Sequence, residues 1–196
     1  MAVVKKPFIS ENGFREERSW KKLNLNTASI IQFLKQIKIV KGDRVAAYMP
    51  NCIETVEAFL ATTSIGGIWS SCSPDFGANG VIERFSQIKP KILFITDQYF
   101  YNGKKINIIE RLSEILKQIP SIKNVVVVSY PGNKFLKNSK KFKKQKLFKW
   151  TDCISKNPQE IKFKMYDFEN ELAILYSSGT TGKPKCICHR TGGVLV

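Results

Sequence analysis

Four consecutive valines at residues 125–128 leave a strand with no polar face, and the chain repeats this pattern at 45–48 (VAAY), 68–71 (IWSS), 92–95 (ILFI) and 172–176 (LAILY). A strand apolar on both sides must be covered on both sides, which a parallel sheet with helical crossovers achieves. Helical spacing occupies the intervals: 52–64, with Val56, Phe59 and Leu60 on the side expected to be buried, then 81–88, then 106–119 up to Pro120. The pattern specifies an α/β fold with a mostly parallel sheet and helices on both faces.

The N-terminal part reads differently. Asn12-Gly13 within residues 7–20 is a short-range hairpin signal. Ser19 is placed to cap a helix that carries Leu23, Ile30, Ile31, Leu34 and Ile37 and ends before Gly42. With 196 residues, 43% of them hydrophobic, the chain has the length and apolar content for one real core.

The formal net charge of +16 is uneven, since residues 134–149 hold eight lysines and no acidic residue, half of the total. Periodicity fails there, so the segment reads as a lysine-rich loop or insertion. Phe135, Phe142, Phe148 and Trp150 interleave the lysines, a pattern that also suits nucleic-acid stacking, although a solvated loop is the simpler reading and no nucleic-acid partner is expected. The five cysteines lack the regular spacing of a disulfide framework, and no glycosylation sequon is present. MAVVKKPFIS has no apolar signal core, and the uncharged stretch 58–74 is too rich in Thr, Ser and Gly to span a bilayer. A soluble, cytoplasmic protein is expected; oligomeric state is not readable.

The apolar run 172–176 leads directly into Ser177-Ser178-Gly179-Thr180-Thr181-Gly182-Lys183-Pro184-Lys185. Glycines let backbone N–H groups turn toward an anion, hydroxyls add donors or a ligand for a phosphate-bound metal, and lysine supplies compact positive charge. This is phosphate-binding chemistry, but not a Walker A site: only two residues separate Gly179 from Gly182, and Pro184 follows Lys183.

The string YSSGTTGKPK resembles the phosphate loop of the adenylate-forming acyl-CoA synthetase superfamily. The stretch 42–77 (GDRVAAYMPNCIETVEAFLATTSIGGIWSSCSPDFG) is similar to its early αβ units, and IWSSCSPDFG, with ERFSQIKPKILFITDQYFYNGK at 83–104, is most like the acetoacetyl-CoA synthetase branch. With HRTGG at 189–193, the likeness covers nearly all of 19–196 except the lysine segment. It implies an ATP-dependent acid–CoA ligase that makes acetoacetyl-CoA through an acyl-adenylate, with acetate or propionate as alternative acids. The cofactors and co-substrates implied are ATP, Mg²⁺ and coenzyme A. By the same resemblance Ser177, Ser178, Gly179, Thr180, Thr181 and Gly182 cradle phosphate, Lys185 is the catalytic lysine of the loop, and Lys183 stands at a variable position.

The resemblance also implies that 1–196 is part of a large N-terminal AMP-binding domain. The adenine, acyl and coenzyme A contacts and a C-terminal domain with a further lysine would then lie beyond Val196, and the piece alone would not turn over. Cys186 and Ala173 depart from the family pattern without replacing a phosphate ligand. The different-class alternative is a non-catalytic basic module that binds nucleotide or nucleic acid.

Three shorter strings invite sharper readings. Cys186-x-Cys188-His189 offers too few clustered ligands for a zinc site, so no metal ligands are assigned. Asp75-Phe76-Gly77 matches a kinase triplet with none of its companion motifs. Residues 69–75 either line an acyl or coenzyme A pocket, by family analogy, or place Trp69 in the core.

Overall fold

The computed structural model describes residues 5–11, 13–130, 144–178 and 182–195. A hairpin of β1 (Lys5–Ile9) and β2 (Arg15–Ser19) opens the chain, paired from Lys5↔Ser19 to Ile9↔Arg15. Gly13 takes a left-handed φ of 78° at its turn, the conformation for which glycine is suited; Asn12 lies outside the described residues. Ser19 Oγ then accepts from the Lys22 N–H at 3.2 Å and starts α1 (Trp20–Gln36), which buries Leu23, Ile30, Ile31 and Leu34.

The remaining elements alternate: β3 (Arg44–Tyr48), α2 (Ile53–Ser64), β4 (Ile68–Cys72), α3 (Ala78–Ile88) and β5 (Ile92–Thr96). A hairpin of β6 (Gln98–Tyr101) and β7 (Lys104–Asn107) leads through a 3₁₀ turn to α4 (Leu112–Gln118) and β8 (Asn124–Val128). The last group is β9 (Lys146–Lys149), α5 (Trp150–Cys153), β10 (Glu171–Ser177), β11 (Lys185–Arg190) and α6 (Thr191–Leu195).

Among the described residues, seven strands form the main sheet in the order β11-β10-β4-β3-β5-β8-β9. All neighbours are parallel except the β10–β11 pair at one edge. Alternation sorts each central strand between two cores. Val45, Ala47, Ile92, Phe94, Val126 and Val128 pack with α1, α2 and α5, whereas Ala46, Tyr48, Leu93, Ile95, Val125 and Val127 pack with α3 and α4. The absence of a polar face in those strands is thereby accounted for: both faces are covered.

Three details depart from the sequence reading. In α2, Val56 is exposed and Phe59 and Leu60 only half-buried, while Ile53, Glu57, Ala58, Ala61 and Thr62 are buried. The alanines let the helix approach its neighbours closely, and Glu57 is held by partners from β2 and α1. The helix expected from 106 begins later, because Asn102 (φ 50°) and Gly103 (φ 70°) both adopt the left-handed region and turn β6 back on β7, which takes Ile106. Helical structure begins at Ile109–Arg111, after the Ile108 and Ile109 N–H groups have both bonded the Asp97 carbonyl.

The third concerns the lysine-rich segment. Residues 134–143 lie outside the described residues, but 146–149 form β9 rather than loop, paired in parallel with β8. Leu147 and Phe148 supply the reason, each packing against a different one of the two cores.

Candidate functional site

Strand β10 lies beside β4, with Ala173 opposite Trp69, so its C-terminal end and that of β4 emerge together. The carboxyl ends of parallel strands are where α/β sheets place ligand loops. Beyond Ser177 the chain turns and returns as β11, whose first residue, Lys185, is the register partner of Ser177. Of the residues assigned to phosphate, Ser177 is half-buried at the strand end, Ser178 is exposed, and Lys185 is exposed at the start of β11. Gly182 has a φ of 106°, which strains any other residue, and the space around it is open. Gly179, Thr180 and Thr181 lie outside the described residues.

Helix α3 touches both ends of this turn. Arg84 sets its guanidinium carbon 4.0 Å from the Phe76 ring centroid and 5.8 Å from that of Tyr176, the residue before Ser177. One turn along, Gln87 Nε2 donates to the carbonyl of Pro184, the residue before Lys185, at 3.0 Å and to the Glu83 carbonyl at 2.8 Å. Tyr176 also packs against Phe85 and lies 3.0 Å from Ser70 Oγ, which donates to the Ile174 carbonyl at 2.8 Å. Burial raises the Tyr176 hydroxyl above its ordinary value against the opposing effect of Ser70, so it stays protonated at neutral pH.

The turn after β4 is held as firmly. Tyr48 donates to the Pro74 and Phe76 carbonyls, and Arg111 Nη1 reaches the same two carbonyls as well as the Tyr48 hydroxyl. Tyr99 donates to Asp75 Oδ1 at 2.6 Å and Ser73 donates to Oδ2 at 2.7 Å, so Asp75 is engaged within its own turn. Burial raises both tyrosines, opposed at Tyr48 by Arg111 and reinforced at Tyr99 by the Asp75 carboxylate. Tyr48, Arg84, Gln87 and Arg111 carry no spacing signal in the sequence, because their partners are backbone carbonyls or rings from distant elements.

The shorter strings resolve as follows. Trp69 is buried between Phe59 and Phe94, with centroids 5.9 and 6.5 Å away, so it belongs to the core. Phe148 meets Phe33 at 4.9 Å and Trp150 meets Phe94 at 6.1 Å, which turns these two aromatics inward rather than toward a nucleic acid; Phe135 and Phe142 lie outside the described residues. Strand alternation in β11 places Cys186 and Cys188 on one face and His189 on the other. Among the described residues, no group of three or more His, Cys, Asp or Glu is placed to hold a metal ion, and no helix is long and apolar enough to cross a membrane.

A doubly covered parallel sheet with a hydroxyl-, glycine- and lysine-bearing turn at a strand's carboxyl end defines the class. The family model described as "AMP-binding enzyme" matches residues 2–196, and the chain belongs to that family. Among individual proteins, it is 41% identical over 193 residues to an acetoacetyl-CoA synthetase of Xenopus tropicalis, covering 92% of this chain and 27% of that one. It is 39% identical over 189 residues to an acetoacetyl-coenzyme A synthetase of Rhizobium meliloti (strain 1021), covering 96% of this chain and 28% of the relative. The solved acetoacetyl-CoA synthetase from Streptomyces lividans superposes with a TM-score of 0.86 at 33% identity, over 96% of this chain and 28% of that structure. The chain therefore spans little more than a quarter of the length of these relatives.

Proposed function

We propose that residues 177–185 hold the triphosphate of MgATP in an acid–CoA ligase that activates acetoacetate, within the large N-terminal domain of a longer protein. The observation that carries this reading is the pairing of Ser177 with Lys185 at the carboxyl end of β10, which sets two hydroxyls and a lysine around one turn. The donor set suits the ligand: Ser177, Ser178 and the glycine-rich backbone offer hydrogen bonds, Lys183 and Lys185 offer charge, and the stretch 177–185 contains no carboxylate to repel phosphate.

The carboxylate oxygen of the acid attacks the α-phosphorus of ATP, the bond to the bridging oxygen breaks, and pyrophosphate leaves with the electron pair. The sulfur of coenzyme A then attacks the acyl carbon, AMP departs, and the thiol proton is released. In the first step negative charge grows on the departing pyrophosphate, where Lys185 and the hydroxyls of the stretch stabilise it. The Ser177 and Ser178 hydroxyls are the described side chains of this stretch that would hold a phosphate-bound Mg²⁺, which would neutralise part of the same charge.

The choice of acetoacetate over acetate or propionate follows the names of the relatives. It is tested by acid-dependent exchange of pyrophosphate into ATP in the full-length protein. Acetoacetate is expected to support the fastest exchange. Faster exchange with acetate or propionate overturns the substrate assignment, and absence of exchange with any of the three overturns the ligase reading.

A further inference from the structure

We infer that Gln87 is a positioning residue for the adenylation step, because helix α3 grips both stems of the phosphate-binding turn. This rests on the reading of 177–185 given above and goes beyond it by assigning a role to residues outside the turn. Gln87 Nε2 places its hydrogens on the carbonyls of Glu83, in its own helix, and Pro184. One carbonyl fixes the side chain to α3 and the other fixes the chain at the residue before Lys185. Proline offers no N–H, so its carbonyl is the backbone group through which this point can be held.

Arg84 stands three residues earlier, on the same side of the helix. It donates to the Gly80 carbonyl at 2.8 Å and lies across the rings of Phe76 and Tyr176. Phe85, fully buried, backs Tyr176 from the core. One helix thus reaches the residue before Ser177 and the residue before Lys185, while β10–β11 pairing sets Ser177 against Lys185. Both ends of the turn are referred to a single rigid element, which in turn is anchored in the core by Val81, Phe85 and Ile88.

The consequence is kinetic rather than a matter of stability. Gln87 is exposed, so its loss leaves no cavity, and one hydrogen bond at the surface contributes little to folding. A lysine that must meet charge developing on a leaving group, however, depends on placement to within a fraction of an ångström. Releasing Pro184 lets the start of β11 drift, and transition-state stabilisation falls while the binding of the acid, made elsewhere, does not.

The test uses the full-length protein, with pyrophosphate exchange and thermal unfolding measured for Gln87→Met, Gln87→Glu and Lys185→Ala. Gln87→Met removes the donor at constant charge, and Gln87→Glu removes it while adding a negative charge. Both are expected to lower the exchange kcat by about three- to tenfold, the worth of one hydrogen bond, with the KM of the acid unchanged and the melting temperature within about 2 °C of wild type. An unchanged kcat in Gln87→Met overturns the assignment, including the case in which only Gln87→Glu is slow, since that is an effect of charge. Matching losses of activity and thermal stability overturn it too. If Lys185→Ala keeps full exchange, the phosphate-turn reading itself falls; if Lys185→Ala is slow and Gln87→Met is not, the positioning role alone falls.

Discussion

Arg111 Nη1 lies 2.6 Å from the Tyr48 hydroxyl, and the two side chains converge on the same pair of carbonyls, those of Pro74 and Phe76. A residue just ahead of α4 and the last residue of β3 therefore clamp the turn that follows β4, next to the candidate site. Arg111 contributes charge-assisted bonds to the backbone acceptors, worth more than the neutral bonds that Tyr48 adds to the same carbonyls.

Removing the hydroxyl from this pair leaves a buried ring in place and deprives Arg111 of one acceptor. Tyr48→Phe is expected to cost about 1–2 kcal/mol of unfolding free energy, and Arg111→Met about 2–3 kcal/mol, in urea titrations. In a double-mutant cycle the two should couple by about 1 kcal/mol. Strict additivity would show that the two residues act separately on the turn.

Stability should fall as pH rises from about 4.5 to about 7, and Glu57 should be the cause. Its side chain has no exposure; Oε1 accepts from Arg18 Nη1 at 2.7 Å and from Asn26 Nδ2 at 2.9 Å, while Oε2 and Asn26 Oδ1 are buried without a hydrogen-bond partner among the described residues. Burial pushes the carboxyl up to about 7 against the pull of Arg18, with Glu54 adding to the rise. In the unfolded chain it ionises at an ordinary glutamate value near 4.3. Between those values the native state holds the proton and the unfolded state does not, so acid favours the fold and the gain is lost as pH climbs. The effect is on the order of a few kcal/mol. Glu57→Gln should flatten the dependence of the urea midpoint between pH 5 and pH 7.5; an unchanged slope would assign that dependence to other groups.

Thiol reactivity should divide the five cysteines. Cys52, Cys72 and Cys153 are buried, and burial pushes each thiol up to about 12, whereas Cys186 and Cys188 are exposed on β11 and raised in lesser degree by the same cause. With Ellman's reagent at pH 8, Cys186 and Cys188 are expected to react in the native protein, and the other three only at the rate of unfolding. Uniform labelling would contradict the packing of β4, α5 and the start of α2 described above.

The sheet was legible because its strands are apolar on both faces and no alternative architecture covers both. The hairpin of β6 and β7 was not read, although Asn102-Gly103 is the same dipeptide as Asn12-Gly13, because the helical spacing of 106–119 competed for Ile106 and prevailed. Strand β9 was hidden by its lysines: a four-residue edge strand needs only two inward apolar residues, Leu147 and Phe148, and composition outweighs so short a signal. At the candidate site the turn, on which the proposed phosphate contact rests, was readable as a run of hydroxyls, glycines and lysines. Its supports were not, since Gln87 and Arg111 act on carbonyls and Arg84 on aromatic rings, and side chains that bind backbone leave no complementary residue in the sequence to find.

The most direct measurement is exchange of pyrophosphate into ATP by the full-length protein with saturating acetoacetate, comparing wild type with Lys185→Ala. Lys185 is exposed, so the variant should fold and melt as wild type does, while the exchange rate should fall about 100-fold, the usual loss for one electrostatic donor at developing charge. Exchange at the wild-type rate in Lys185→Ala would contradict the assignment of this turn to the triphosphate of ATP.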